Sequence, residues 1–141
     1  MNGLLKKVSA VLFSIAMVST VQAAEDVPDS IPGTTKISAE QLIELVQKHP
    51  DLVIVDARKS SDRDKGFIEG SKHLVNTDTT PETLAKIAPN KAAPIAFYCN
   101  GIKCNRSGDS ATLAIKAGYS KVYWLRGGLD EWTAKSFPIA K

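Results

Sequence analysis

Cysteine and histidine are scarce in this chain, and long apolar runs are missing. The 141 residues hold two cysteines and two histidines. Both cysteines lie in one short stretch with no histidine near them, which makes a poor zinc site, and nothing in the pattern calls for a metal or other cofactor. No apolar run reaches the ~20 residues of a membrane span. Neither sign of charge dominates: 18 basic residues against 15 acidic ones give a net +3. Without Lys6 and Lys7, which fall in the export segment described next, the balance is +1, so neither nucleic acid nor anionic lipid is implied as a bulk partner. Internal repeats and low-complexity tracts are also absent.

An export pattern stands at the start. Met1 to Lys7 carries Lys6 and Lys7 and no acid, Val8 to Val18 is uncharged and mostly apolar, and Val21-Gln22-Ala23 offers a cleavage position. The reading is a signal peptide over residues 1–23, a periplasmic or secreted product, and no membrane attachment after cleavage. No cysteine follows the cut, which argues against a lipid anchor. Glu25 to Gly33, with Pro28 and Pro32, reads as extended, so a leader is assigned to residues 24–35 and one domain to residues 36–141.

Strand and helix signals alternate through that domain. Ser38-Ala39-Glu40-Gln41 is a capping-box pattern, and Leu42, Ile43, Leu45 and Val46 form an apolar helical face ended by His49-Pro50. Leu52 to Val55 reads as a buried strand and Ser71 to Val75 as a short one. Thr80-Pro81-Glu82 opens a small helix that ends near Pro89. Pro94 to Tyr98 predicts a strand, Ser107 to Ala117 a helix, Lys121 to Leu125 a further strand, and the residues after Gly127-Gly128 a helical turn carrying Leu129 and Trp132. Such alternation predicts an α/β fold with a mainly parallel sheet covered on both faces by helices.

The chemistry concentrates between the Tyr98 strand and the Ser107 helix, in Cys99-Asn100-Gly101-Ile102-Lys103-Cys104-Asn105-Arg106. Cys99 falls at the carboxyl end of a strand, the edge where open α/β sheets bind ligands, and the next helix directs its free N–H groups there. A thiol of pKa ~8.5 drops to roughly 3.5–7.5 at a helix N-terminus or beside Arg or Lys, so Cys99 is expected to be a thiolate at neutral pH. Gly101 allows the backbone to turn. Lys103, Arg106 and the loop amides are donors for an anion.

Three separated motifs resemble the rhodanese-like family, over about Lys36 to Ile139. These are Asp56-Ala57-Arg58 with Asp62 and Gly66-Phe67-Ile68-Glu69-Gly70-Ser71; Cys99 to Ser107; and Gly118-Tyr119 through Gly127-Gly128-Leu129-Asp130-Glu131-Trp132 to Phe137-Pro138. The resemblance implies a five-stranded, mainly parallel sheet with helices on both faces. It also implies transfer of sulfane sulfur from an anionic donor such as thiosulfate to a thiophilic acceptor, through a persulfide on Cys99, with Asn100, Gly101, Ile102, Lys103, Asn105 and Arg106 cradling the anion. No protein partner is specified by it. A non-catalytic or redox-sensing binding module and a cysteine phosphatase are the alternative readings.

Two departures from the family stand out. Cys99 to Arg106 spans eight residues, two more than the usual sulfurtransferase loop and one more than the phosphatase pattern, and Phe67 replaces the usual His in its turn. Cys104 falls within the lengthened loop, and three roles are open to it: nucleophile in place of Cys99, resolver of a persulfide through a loop disulfide, or filler of the added turn. A curled loop could bring the two Cα atoms within the ~4.4–6.8 Å of a bridge, giving a reversible redox switch in an oxidising compartment. Elsewhere, Arg58 and Asp62 are expected to form a structural ion pair with Asp56 holding the turn. Trp124 and Trp132 are expected in the core or pocket wall, His49 and His73 at the surface or in turns, and Arg126 at the pocket rim.

Overall fold

Helix α1 (Ala39–Lys48) starts where Ser38 and Gln41 close their capping box: Ser38 Oγ accepts from the Gln41 amide at 3.2 Å and Gln41 Oε1 from the Ser38 amide at 2.8 Å. The structure is a computed structural model that describes residues 26–141, so the signal segment read at 1–23 lies outside the described residues. Strands β1 (Thr34–Lys36) and β2 (Val53–Asp56) flank α1, followed by α2 (Ser60–Arg63), β3 (Phe67–Ile68) and β4 (Lys72–His73). A 3-10 turn at Asn76–Asp78 leads to α3 (Pro81–Ile87), capped by Thr80 and Thr83 as at α1, with Pro81 where a missing N–H costs nothing. Then come β5 (Ile95–Tyr98), α4 (Arg106–Lys116), β6 (Val122–Leu125), α5 (Gly128–Ala134) and β7 (Ile139–Ala140).

Five strands form one parallel sheet in the order β1-β6-β5-β2-β4, and β3 pairs antiparallel with β7 beside it. Strand β5 is central and buried along its whole length, as its unbroken apolar run requires. Its side chains divide by the period of two. Ala96 and Tyr98 join Ile54, Leu125, Leu42 of α1 and Trp132 of α5 on one face, while Ile95 and Phe97 join Val55, Val122, Leu84 of α3 and Ala111 and Ala114 of α4 on the other. Both faces are therefore covered by helices, as the alternation predicts. Strand β1 falls across the boundary set at residue 36 between leader and domain. Ile31, within the segment read as leader, is buried, and Val27 and Pro28 lend their carbonyls to Arg126.

Parallel pairing places the carboxyl ends of β2, β5 and β6 side by side, so that Arg58, Cys99 and Gly127-Gly128 leave the sheet at one edge. Trp124, fully buried, ties that edge to the next helix by donating its indole N–H to Ser107 Oγ at 3.0 Å. Leu42 anchors the α1 face of the core. Leu42→Ala is expected to cost ~2–5 kcal/mol in urea unfolding, whereas the exposed Val46→Ala should stay within ~0.5 kcal/mol.

Candidate active site

Beneath the site lies a buried carboxylate. Asp56, at the end of β2, accepts Arg58 Nε at 2.9 Å and Nη2 at 2.8 Å, Arg63 Nη1 at 3.1 Å and the Tyr98 hydroxyl at 2.9 Å. Burial pushes the Asp56 pKa up, but the Arg58 hydrogen bonds and charge, with the Tyr98 hydroxyl, outweigh it and hold the carboxyl below its usual value. Burial and the Asp56 charge push the Tyr98 phenol up to about 12, so it remains a donor. The ion pair expected between Arg58 and Asp62 is thus replaced. Arg58 pairs with Asp56 in a two-pronged contact and reaches only the backbone carbonyl of Asp62, at 3.4 Å. The spacing Asp-x-Arg favours this, because one intervening residue lets the fork close on a carboxylate already buried beside it. Phe67 takes part as well: the Arg63 guanidinium lies 3.8 Å from its ring centroid, so an aromatic face stands where the family usually has a polar group.

Asn100 connects this network to the loop above. Its side-chain N–H donates to Asp62 Oδ2 at 3.2 Å, and its Oδ1 accepts from Arg58 at 3.5 Å. Asn100, which also lines the cavity over the loop, is thereby tethered from below. On the opposite side, the first N–H groups of α5 hold the loop's opening carbonyls: Leu129 donates to Cys99 at 2.9 Å and Asp130 to Asn100 at 2.8 Å. Such an approach requires Gly128, whose φ is +59° and whose place would put any Cβ 2.5 Å from the Cys99 carbonyl oxygen. At Gly101 the backbone is not in the left-handed region, and a Cβ would meet only the Asp130 carboxylate, the end of an exposed side chain.

The two sulfurs are joined. Cys99 and Cys104 form a disulfide with Cα atoms 6.1 Å apart, so the thiolate expected of Cys99 belongs to the reduced protein. Cys99 is 1% exposed and Cys104 half-buried. A cavity of about 440 Å³ opens over the loop, lined by Asn100, Gly101, Ile102, Lys103, Cys104 and Asp130. Arg106 is the first residue of α4, and its Nη1 lies 3.7 Å from Cys104 Sγ. Asn105, just before the helix, turns Nδ2 to Asp109 at 3.0 Å, while its buried Oδ1 has no hydrogen-bond partner among the described residues.

The sequence-predicted residues thus separate into groups. Gly101, Ile102 and Lys103 line the cavity with Cys104, and Arg106 faces the Cys104 sulfur. The Asn100 and Asn105 side chains are engaged from below and along α4. Gly128 and Asp130 were not foreseen as parts of the site, although the Gly127-Gly128 pair was visible as a motif. Arg126 borders a second cavity of about 340 Å³, its guanidinium donating to the Pro28 carbonyl at 2.8 Å. His73 is exposed and bonds the Arg58 carbonyl at 2.8 Å.

An α/β fold with a cysteine loop between a central parallel strand and the following helix defines a class that comparison with known proteins identifies. The pattern describing the rhodanese-like domain matches residues 38–135, and the chain belongs to that family. Thiosulfate sulfurtransferase GlpE of Tolumonas auensis is 33% identical over 98 residues, covering 70% of this chain and 87% of GlpE. YibN of Escherichia coli is 26% identical over 106 residues, covering 74% of this chain and 71% of YibN. A solved thiosulfate sulfurtransferase from Pseudomonas aeruginosa shares the fold with a TM-score of 0.66 at 21% identity, over 76% of this chain and 20% of that one. The polysulfide-sulfur transferase of Wolinella succinogenes does so with a TM-score of 0.62 at 21% identity, over 77% and 79%.

The Asp56 network sets a pH dependence. With its folded pKa below the unfolded value of ~3.9, Asp56 contributes stability that is fully present above pH ~5 and is lost as pH falls through the folded pKa. Asp56→Asn, which leaves Arg58 buried without its counter-charge, is expected to lose ~3–5 kcal/mol near neutral pH and to flatten the acid limb of urea midpoints plotted against pH. An unchanged acid limb would contradict this account.

Proposed function

We propose that the protein is a sulfurtransferase that takes sulfane sulfur from an anionic donor such as thiosulfate onto Cys99 and passes it to a thiophilic acceptor. The observation that carries this reading is the position of Cys99, at the carboxyl end of the central strand β5 and followed by a loop that ends in Arg106 on the first turn of α4. Family membership and relatives named as thiosulfate sulfurtransferases support it. In the reduced protein the Cys99 thiolate attacks the outer sulfur of the donor. The bond to the oxidised sulfur breaks, and sulfite leaves with the electron pair. Lys103, Arg106 and the loop amides stabilise the departing oxyanion, and the same amides stabilise the persulfide anion. Reduction of the disulfide must precede the first turnover.

The pattern Lys6-Lys7, Val8 to Val18 and Val21-Gln22-Ala23 supports export to the periplasm or beyond, and a disulfide suits an oxidising compartment.

Reduced protein treated with thiosulfate should gain the mass of one sulfur atom, lose it to cyanide, and gain none as Cys99→Ser. Uptake by Cys99→Ser would overturn the assignment. Arg106→Ala is expected to lower kcat/KM by about tenfold or more, a loss of roughly 1.4 kcal/mol in transition-state stabilisation. Arg106→Lys should stay impaired, because a point charge does not reproduce the guanidinium fork. Wild-type kinetics in a folded Arg106→Ala protein would remove that residue from the site.

A further inference from the structure

We propose that Cys104 is a resolving cysteine: it attacks the Cys99 persulfide, expels the carried sulfur as hydrosulfide, and leaves the Cys99–Cys104 disulfide that the structure holds. The inference rests on the proposed loading of sulfur onto Cys99. It gives the protein a further activity, dithiol-dependent reduction of sulfane sulfur to sulfide.

The disulfide places Cys104 Sγ in bonding contact with Cys99 Sγ itself. In the persulfide that same Cys99 atom is the inner sulfur, the one whose attack releases the terminal sulfur; attack on the terminal sulfur would move the persulfide to Cys104. Access points the same way. Cys104 is half-buried and lines the open cavity five residues from Cys99, so the thiol nearest to the inner sulfur is intramolecular. Charge adds a third argument: Arg106 Nη1 stands 3.7 Å from Cys104 Sγ, so a guanidinium faces the attacking sulfur. The loop is held for the encounter at both ends. The Cys104 amide donates to the Gly101 carbonyl at 3.0 Å, and the amides of Leu129 and Asp130 hold Cys99 and Asn100.

The step balances. The Cys104 thiol and the Cys99 persulfide anion become one disulfide and one hydrosulfide ion; the bond between Cys99 Sγ and the terminal sulfur breaks, and that sulfur leaves with its electron pair and the Cys104 proton. Both cysteine sulfurs are oxidised as the carried sulfur is reduced. Regeneration requires a dithiol protein reductant. One of its thiolates attacks Cys104 Sγ at the cavity surface and releases Cys99, and its second thiol then resolves the mixed disulfide and restores Cys104.

A single-turnover experiment without added thiol tests the inference. Fully reduced wild-type protein, Cys104→Ser and Cys104→Ala are each mixed with thiosulfate and, separately, with inorganic polysulfide; intact mass is followed with both donors, and free sulfide with thiosulfate alone, because polysulfide sheds sulfide as it loads a thiolate. Wild type is expected to release one sulfide per chain and to end two hydrogens lighter, as the disulfide, while both variants stop at the Cys99 persulfide and release none. A wild-type protein that keeps its persulfide, on either cysteine, and releases no sulfide would overturn the resolving role and leave the proposed transferase reading intact. Sulfide release by the variants at the wild-type rate would overturn it equally. Failure of all three proteins to take up sulfur from either donor would overturn the transferase reading and the inference together.

Discussion

The buried Asp56 carboxylate is the constraint around which the active-site edge is organised. A carboxylate out of water is costly unless its lone pairs are filled, and here two guanidinium groups and a phenol fill them. Each donor comes from a different part of the chain. Arg58 lies in the loop after β2, Arg63 belongs to α2, and Tyr98 is the last residue of β5, immediately before Cys99. Satisfying one charge therefore fixes three segments at once. Arg58 then extends the network upward through Asn100, so the second residue of the loop is positioned by a charge pair below the sheet edge.

The loop is held from the other side by backbone rather than charge. A short helix that begins at Gly128 directs its first N–H groups at the Cys99 and Asn100 carbonyls, which places the strand-end sulfur between two fixed anchors. The residues between Gly101 and Arg106 are left to shape the cavity. There Cys104 Sγ is bonded to Cys99 Sγ, and Arg106 lies beside it. The proposed discharge of sulfide makes use of that second sulfur.

Much of this was legible in the sequence, for physical reasons that differ by element. The capping box at Ser38 and the Thr80-Pro81 start announce their helices because the signals involved are local, within three residues. The apolar run of β5 was legible as a strand, and its burial on both faces agrees with the parallel sheet that the alternation predicts. Cys99 was legible by its place between strand and helix. Arg58 was legible as a structural ion-pairing residue but its partner was not, since Asp62 and Asp56 are both within reach along the chain and burial decides between them. The hydrogen bonds of the Asn100 and Asn105 side chains were not legible, because sequence places a residue in a loop without telling which way its amide turns. Gly128 and Asp130 went unassigned because their proximity to the loop arises from packing of α5 against a segment 28 or more residues distant.

Cys99, held between these anchors, is the atom proposed to receive sulfur. The most direct measurement is a crystal structure of the thiol-reduced protein soaked with thiosulfate. One additional sulfur atom bonded to Cys99 Sγ, within hydrogen-bonding distance of the loop amides and with Cys104 unmodified in a cryotrapped early state, is the predicted result. Additional sulfur on Cys104 with an unmodified Cys99 would contradict the claim.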